Sequence, residues 1–177
     1  NLENELLRLQ SELQNKTYKV GAYRRFQIYD PKKRLISALP YRDRVVQHAL
    51  CNIIEPIFDR SLIHDAYACR TGKGSHSAVN RFTSFCRKNK YALKCDVKSY
   101  FASIDHDILF EIIKKKIKDP DALWLSKLII ESTPSPGIPI GNLASQIFAN
   151  LYLGGLDRYL KETIKCGSYI RYMDDLI

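Results

Sequence analysis

No apolar run in the 177-residue sequence approaches the roughly 20 residues that a membrane-crossing helix needs, and no signal peptide is visible. The sequence begins at Asn1 rather than Met, so an upstream segment is left open. Its five cysteines (Cys51, Cys69, Cys86, Cys95 and Cys166) form no CxxC pair, are odd in number and fall mostly within apolar patterns. That usage points to reduced thiols and a cytoplasmic location rather than a disulfide framework. The four histidines are scattered, none at ligand spacing from a cysteine, which argues against a zinc site. Gly72-Lys73-Gly74 lacks the GxxxxGK(S/T) spacing of a phosphate-cradling loop. No internal repeat or low-complexity segment is present. Negative charge is scarce: 19 acidic residues face 28 basic ones, a formal net charge of +9 with a pI near 9.3. Such a surplus suits a phosphate-rich partner, although many basic proteins bind no nucleic acid.

What is present is a chain with 45% hydrophobic residues, enough to bury a substantial core in one or two packed units. Leu2, Leu6, Leu9 and Leu13 recur at helical spacing and predict a short amphipathic helix. Asp30-Pro31-Lys32-Lys33 is turn chemistry between two β-prone stretches, so residues 23 to 38 read as a hairpin. Val45, Val46, Ala49, Leu50, Ile53, Ile54, Ile57 and Phe58 mark a long helix. Residues 61 to 74 look irregular, and Ser75 resembles an N-cap for a further helix. Ile108, Leu109, Ile112, Ile113 and Ile117 mark another helix, ended by Asp119-Pro120, with Asp105 and Asp107 as capping residues. The helix resumes over 121 to 131. Residues 132 to 139 read as a loop, Asn142 as the cap of the next helix, and Gly154-Gly155 as a bend or close-packing point in it. Helices outnumber strands, which places the chain in the α+β class.

The most informative residues are acidic. Tyr172-Met173-Asp174-Asp175 follows the β-prone Tyr169-Ile170, and adjacent carboxylates at a strand end repel each other. The repulsion is absorbed when a divalent cation sits between them. A third carboxylate, Asp96, closes the apolar run Tyr91-Ala92-Leu93-Lys94-Cys95. Three acids on two strand ends can hold a pair of Mg²⁺ ions for in-line phosphoryl transfer, which is the chemistry of a nucleic-acid polymerase core.

Asp96-Val97-Lys98-Ser99-Tyr100-Phe101, Gly141-Asn142-Leu143-Ala144-Ser145-Gln146 and Tyr172-Met173-Asp174-Asp175 resemble successive motifs of reverse transcriptases. So do Tyr67 to Gly74 and the run from Tyr23 through Lys33-Arg34 to Asp43-Arg44-Val45-Val46-Gln47-His48. The resemblance spans residues 17 to 177 in the family's order. Retroviral and group II intron enzymes usually carry Gln-Gly-x-x-x-Ser-Pro at the second motif; here Ile140 stands for that Gln and Gln146 for that Pro. This variant resembles the enzymes of diversity-generating retroelements, which copy a template RNA into cDNA with frequent errors at adenines. A group II intron-like, retron or phage-defence reverse transcriptase is the alternative. So, from another class, is a non-catalytic nucleic-acid-binding relic of a polymerase.

The resemblance implies reverse-transcriptase fingers and palm: an N-terminal helix over 1 to 16, a fingers-like region over 17 to 90, and a palm-like region over 91 to 177. The chain stops two residues past the acidic pair. If that pair sits at a hairpin turn, the returning strand and thumb are expected to be absent, the piece to be weak or inactive alone, and its exposed edge to favour self-association. Asp96, Asp174 and Asp175 are implied as catalytic and, with the backbone carbonyl of Val97, as ligands of two Mg²⁺ ions, Mn²⁺ being a possible substitute. Lys33 and Arg34 are implied to grip the triphosphate. Phe101 is implied to pack beneath the sugar and exclude a 2′-hydroxyl, with Tyr100 facing away from the nucleotide. Ile140 and Gln146 are implied to lie near the templating pair. The expected partners are an RNA template, a DNA or RNA primer, dNTPs and a small basic accessory protein.

Overall fold

The computed structural model describes residues 2–29 and 32–177. Helix α1 (Leu2–Gln14) opens the chain and buries Leu9, while Leu2 and Leu6 stay exposed. Strands β1 (Arg24–Ile28) and β2 (Arg34–Ala38) form the expected hairpin, in antiparallel register from Arg24 opposite Ala38 to Ile28 opposite Arg34. Two residues of its turn, Asp30 and Pro31, lie outside the described residues.

Helix α2 (Tyr41–Asp59) is the long helix and carries Pro56 near its end. Its buried face (Val46, Leu50, Cys51, Ile54, Phe58) follows the 3.6-residue period, while Ile53 is exposed on the opposite side. Helix α3 (Ser75–Cys86) follows the irregular stretch. Ser75 is its first helical residue and not its cap. The cap position falls to Gly74, at φ 103°, with no side-chain hydrogen bond.

Strand β3 (Cys95–Asp96) is shorter than the apolar run before it suggests. Tyr91 and Leu93 are largely exposed, because the partner strand offers only two residues to pair with. Helix α4 (Tyr100–Ser103) leads into α5 (His106–Lys116), which Asp105 caps by accepting from the Ile108 amide at 2.9 Å. Asp107 lies in its first turn and Lys114, Lys115 and Lys116 in its last, where their charge complements the helix dipole. Helix α6 (Pro120–Ile130) is capped by Asp119, with Pro120 in the first turn, where a missing N–H costs nothing.

Helix α7 (Leu143–Tyr152) begins at Asn142 as expected, but the Asn142 side chain does not cap it. The helix stops at Tyr152; α8 (Gly154–Arg158) and a π-helical turn (Tyr159–Thr163) follow. The break falls at Leu153, and the two glycines open α8. They serve no close packing: a Cβ on Gly154 would meet Leu62 at an ordinary 3.7 Å, and one on Gly155 would meet open space. Strands β4 (Arg171–Tyr172) and β5 (Asp175–Leu176) complete a three-stranded antiparallel sheet in the order β3-β5-β4.

One core joins the face of α2 to Ile104, Leu109 and Ile113 around α5, Ile129 and Ile130 of α6, and Ile147, Phe148 and Leu151 of α7. Each such side chain contributes about 1.5–3 kcal/mol relative to exposure. A smaller cluster (Tyr67, Ala78, Phe85, Ile170) packs α3 on the sheet. A third (Leu9, Tyr18, Val46) docks α1, supported by the Tyr18 hydroxyl on Asp43 and by Arg42, which pairs with Glu12 and lies 5.4 Å over the Tyr18 ring. All five cysteines are free; only Cys51 is buried, so the apolar setting inferred for the others does not hold. Among the described residues no helix is long and apolar enough to cross a membrane.

Candidate active site

Each strand of the three-stranded sheet is two residues long. Strand β5 lies in the middle, so Asp175 stands opposite both Asp96 of β3 and Tyr172 of β4. Met173 and Asp174 form the turn between β4 and β5, with Met173 in the left-handed region at φ 57°. Beyond the turn, Ile170 and Ile177 exchange both backbone hydrogen bonds, at 2.9 and 3.0 Å. A short returning strand is therefore present, contrary to the expectation that it would be missing.

The three aspartates share one neighbourhood. Partial burial raises the Asp174 carboxyl above the usual range, and the charges of Asp96 and Asp175 raise it further, while Arg34 opposes them. Asp175 has a cation already: Lys94 Nζ lies 2.9 Å from its Oδ1, an ion pair that raises the Lys94 pKa. Among the described residues no group of three or more His, Cys, Asp or Glu side chains is arranged to hold a metal ion. The donor set itself, hard carboxylate oxygens with Asp96 and Asp175 close enough to act on Asp174, fits a hard divalent cation.

The other predicted residues are distributed around this centre. Val97 is half-buried against the main core. Phe101 packs there too, its ring edge-on to Tyr100 with centroids 5.7 Å apart. Tyr100 is buried and its hydroxyl donates to the Ala149 carbonyl at 2.5 Å, so it serves packing. Arg34 starts β2, exposed yet near enough to act on Asp174; Lys33 beside it is exposed. Strand β2 is clipped to the 140–142 segment: the Ser37 amide donates to the Ile140 carbonyl at 2.9 Å, and Asn142 Nδ2 donates to the Ser37 carbonyl at 3.0 Å. Gly141 makes this approach possible, since it holds φ 108° and a Cβ would sit 2.8 Å from Ile36 Cγ2. Gln146 accepts a long contact from the Cys69 thiol at 3.5 Å. Arg34 and Ile140 thus belong to one connected unit, and Gln146 faces Cys69 in a neighbouring one.

Three participants escape a reading of the sequence. Lys94 sits in an apolar run, two residues before Asp96. Arg171 and Asp157 are both fully buried and paired beneath the acidic turn, with Nη2 to Oδ2 at 2.6 Å. The available signal was a charge inside a β-prone apolar stretch, Tyr169-Ile170-Arg171-Tyr172, because a charge there needs a buried partner.

The family model described as "Reverse transcriptase (RNA-dependent DNA polymerase)" matches residues 28–177. Among curated proteins, protein YkfC of Escherichia coli (strain K12) is 26% identical over 92% of this chain and 47% of its own length. The group II intron-encoded protein LtrA of Lactococcus lactis subsp. cremoris is 25% identical over 89% of this chain and 28% of its own. The retron Ec73 reverse transcriptase of Escherichia coli is 29% identical over 85% of this chain and 48% of its own. The chain spans less than half the length of each of these relatives.

Proposed function

The chain belongs to the reverse transcriptase (RNA-dependent DNA polymerase) family, and from that premise we propose that it is the catalytic part of an enzyme that copies RNA into DNA. The observation that carries the reading is the register of the small sheet, which sets Asp96 opposite Asp175 with Asp174 in the adjoining turn. Asp96, Asp174, Asp175 and the backbone carbonyl of Val97 would hold the metal. Held there, Mg²⁺ or Mn²⁺ would supply the Lewis acidity that lowers the pKa of a primer 3′-hydroxyl and the positive charge that offsets a departing pyrophosphate. Arg34 and Lys33 bring positive charge to the triphosphate, where electrostatic stabilisation counts most. Phe101 supports the sugar of a deoxynucleotide, and Ile140 and Gln146 border the templating pair. Residues 17 to 90 serve as fingers and 91 to 177 as palm. The partners are an RNA template, a DNA or RNA primer, dNTPs and a small basic accessory protein, in the cytoplasm.

The branch proposed is that of the diversity-generating retroelements, on the strength of Ile140 and Gln146. A group II intron-like or retron enzyme is the second reading, favoured by the similarity to the group II intron-encoded protein LtrA and to the retron Ec73 reverse transcriptase. Primer extension on an RNA template with Mg²⁺ and dNTPs tests both. The samples are the full-length natural polypeptide carrying this sequence, its Asp174→Asn variant, and this chain alone. Extension abolished by Asp174→Asn supports the polymerase; errors clustered opposite template adenines support the first branch, and accurate products the second. RNA binding without extension would replace the polymerase reading with a binding module.

A further inference from the structure

We infer that Arg171 is a positioning residue that holds the Met173–Asp174 peptide, and with it the acidic pair, from a buried socket; the inference rests on the polymerase reading above. A guanidinium has five N–H donors in a rigid fork, and here all five have acceptors. Nε donates to Asp157, at 2.8 Å to Oδ1 and 2.9 Å to Oδ2. Nη2 donates to Asp157 Oδ2 at 2.6 Å and to the Asn150 carbonyl at 3.0 Å. Nη1 donates to Asn150 Oδ1 at 2.8 Å and to the Met173 carbonyl at 2.9 Å.

The last bond reaches the turn. It fixes the peptide that leads into Asp174, directly after a residue whose φ of 57° a side-chain-bearing residue leaves when nothing holds it. The acceptors are themselves held. Asp157 accepts from the Tyr169 hydroxyl at 2.7 Å, and Asn150 Nδ2 donates to the Ala68 carbonyl at 2.8 Å. The backbone of Arg171 bonds to the Asp65 carbonyl and the Tyr67 amide, at 2.9 and 3.0 Å. The socket is thus anchored on α7, on α8 and on the 61–74 segment together. Neutralising Asp157 would need only a cation. Spanning Asp157, Asn150 and Met173 at once needs the planar fork, which lysine lacks.

The test uses the full-length natural polypeptide and two variants. Arg171→Lys keeps a cation opposite Asp157 and loses the span. Asn150→Ala keeps the Arg171–Asp157 pair and removes one of the two acceptors of Nη1, the group that also holds the Met173 carbonyl. Single-nucleotide incorporation gives kcat and the dNTP KM, and amide hydrogen exchange without nucleotide follows residues 172–176. For Arg171→Lys we expect kcat to fall at least about tenfold with KM within about threefold, because misplacement by an ångström strikes the transition state. Exchange should quicken at 172–176 while α5 stays as protected as before. Asn150→Ala should show the same split, more weakly, and it decides the matter if Arg171→Lys does not fold. Unchanged kcat, a rise in KM alone, or faster exchange throughout α5 and α7 would overturn the inference and leave Arg171 a packing residue. If the unmodified polypeptide extends no primer, the polymerase reading fails, while exchange at 172–176 still decides whether Arg171 holds the turn.

Discussion

Lys94 Nζ and Asp175 Oδ1 lie 2.9 Å apart, across the pairing of β3 with β5. In the proposed site an ammonium therefore stands against a carboxylate that would hold a divalent cation. Both side chains are well exposed, so the pair is screened and exchangeable. Lys94→Met should lower the Mg²⁺ concentration that half-saturates extension by about two- to fivefold, the range of an exposed pair. A Mg²⁺ titration of primer extension measures it, and a higher Mg²⁺ requirement would show instead that Lys94 helps to assemble the site.

Phe101 rests its ring against Tyr100 and the main core without being fully enclosed. Phe101→Ala should leave the chain folded and weaken discrimination against ribonucleotides by about tenfold or more, since in the proposed site its ring is the bulk that would meet a 2′-hydroxyl. The ratio of kcat/KM for a dNTP and the matching rNTP reads this directly. An unchanged ratio would reduce Phe101 to a packing role.

Ile140 is tied through its carbonyl to Ser37, so β2 sets its backbone position, and the residue is half-buried. Ile140→Gln supplies a polar group able to hydrogen-bond the nucleotide or the template backbone, which isoleucine cannot. Misincorporation should drop by about tenfold, the scale on which a hydrogen-bonding check sharpens selection. Sequenced extension products decide it, and an unchanged error rate would remove Ile140 from any account of fidelity.

Asp65 carries a pH dependence that is independent of catalysis. Burial pushes its carboxyl up, but hydrogen bonds from Arg81, Lys161 and His64 outweigh that and hold it at about 2. A carboxyl depressed in the folded state stabilises the fold above its ordinary pKa of about 4 and loses that contribution as pH falls toward 2. About 1–2 kcal/mol is at stake. Urea denaturation should show Asp65→Asn less stable than the parent at pH 6, with the gap narrowing at pH 3. A constant gap would mean that the ion pairs contribute nothing.

Much of this was legible in the chain because it is local. Helical periodicity marked the face of α2, and Asp105 announced its helix through a side chain that reaches an amide three residues on; Asp119, read only as a break, caps the next helix in the same way. Asp96, Asp174 and Asp175 stood out because acids at the ends of apolar runs need a reason. Other features depended on partners far along the chain. The run ending in Asp96 looked like a full strand, yet only Cys95 and Asp96 find a partner, since pairing requires an equal length opposite. Asn142 looked like a cap, but its amide goes to Ser37, 105 residues away in sequence.

The sequence by itself determined the chemistry available: three carboxylates, basic residues near a hairpin, an aromatic five positions after Asp96, and the family to which the chain belongs. Tertiary structure alone decided which of these meet. It set Asp175 across from Asp96, laid Lys94 on Asp175, brought Arg34 within electrostatic reach of Asp174, and placed Arg171 and Asp157 together beneath the turn. The physical reason is range. Capping and periodicity act within a turn or two of the backbone, whereas the register of β5 between its neighbours and the burial of an ion pair exist only once distant segments have closed on one another.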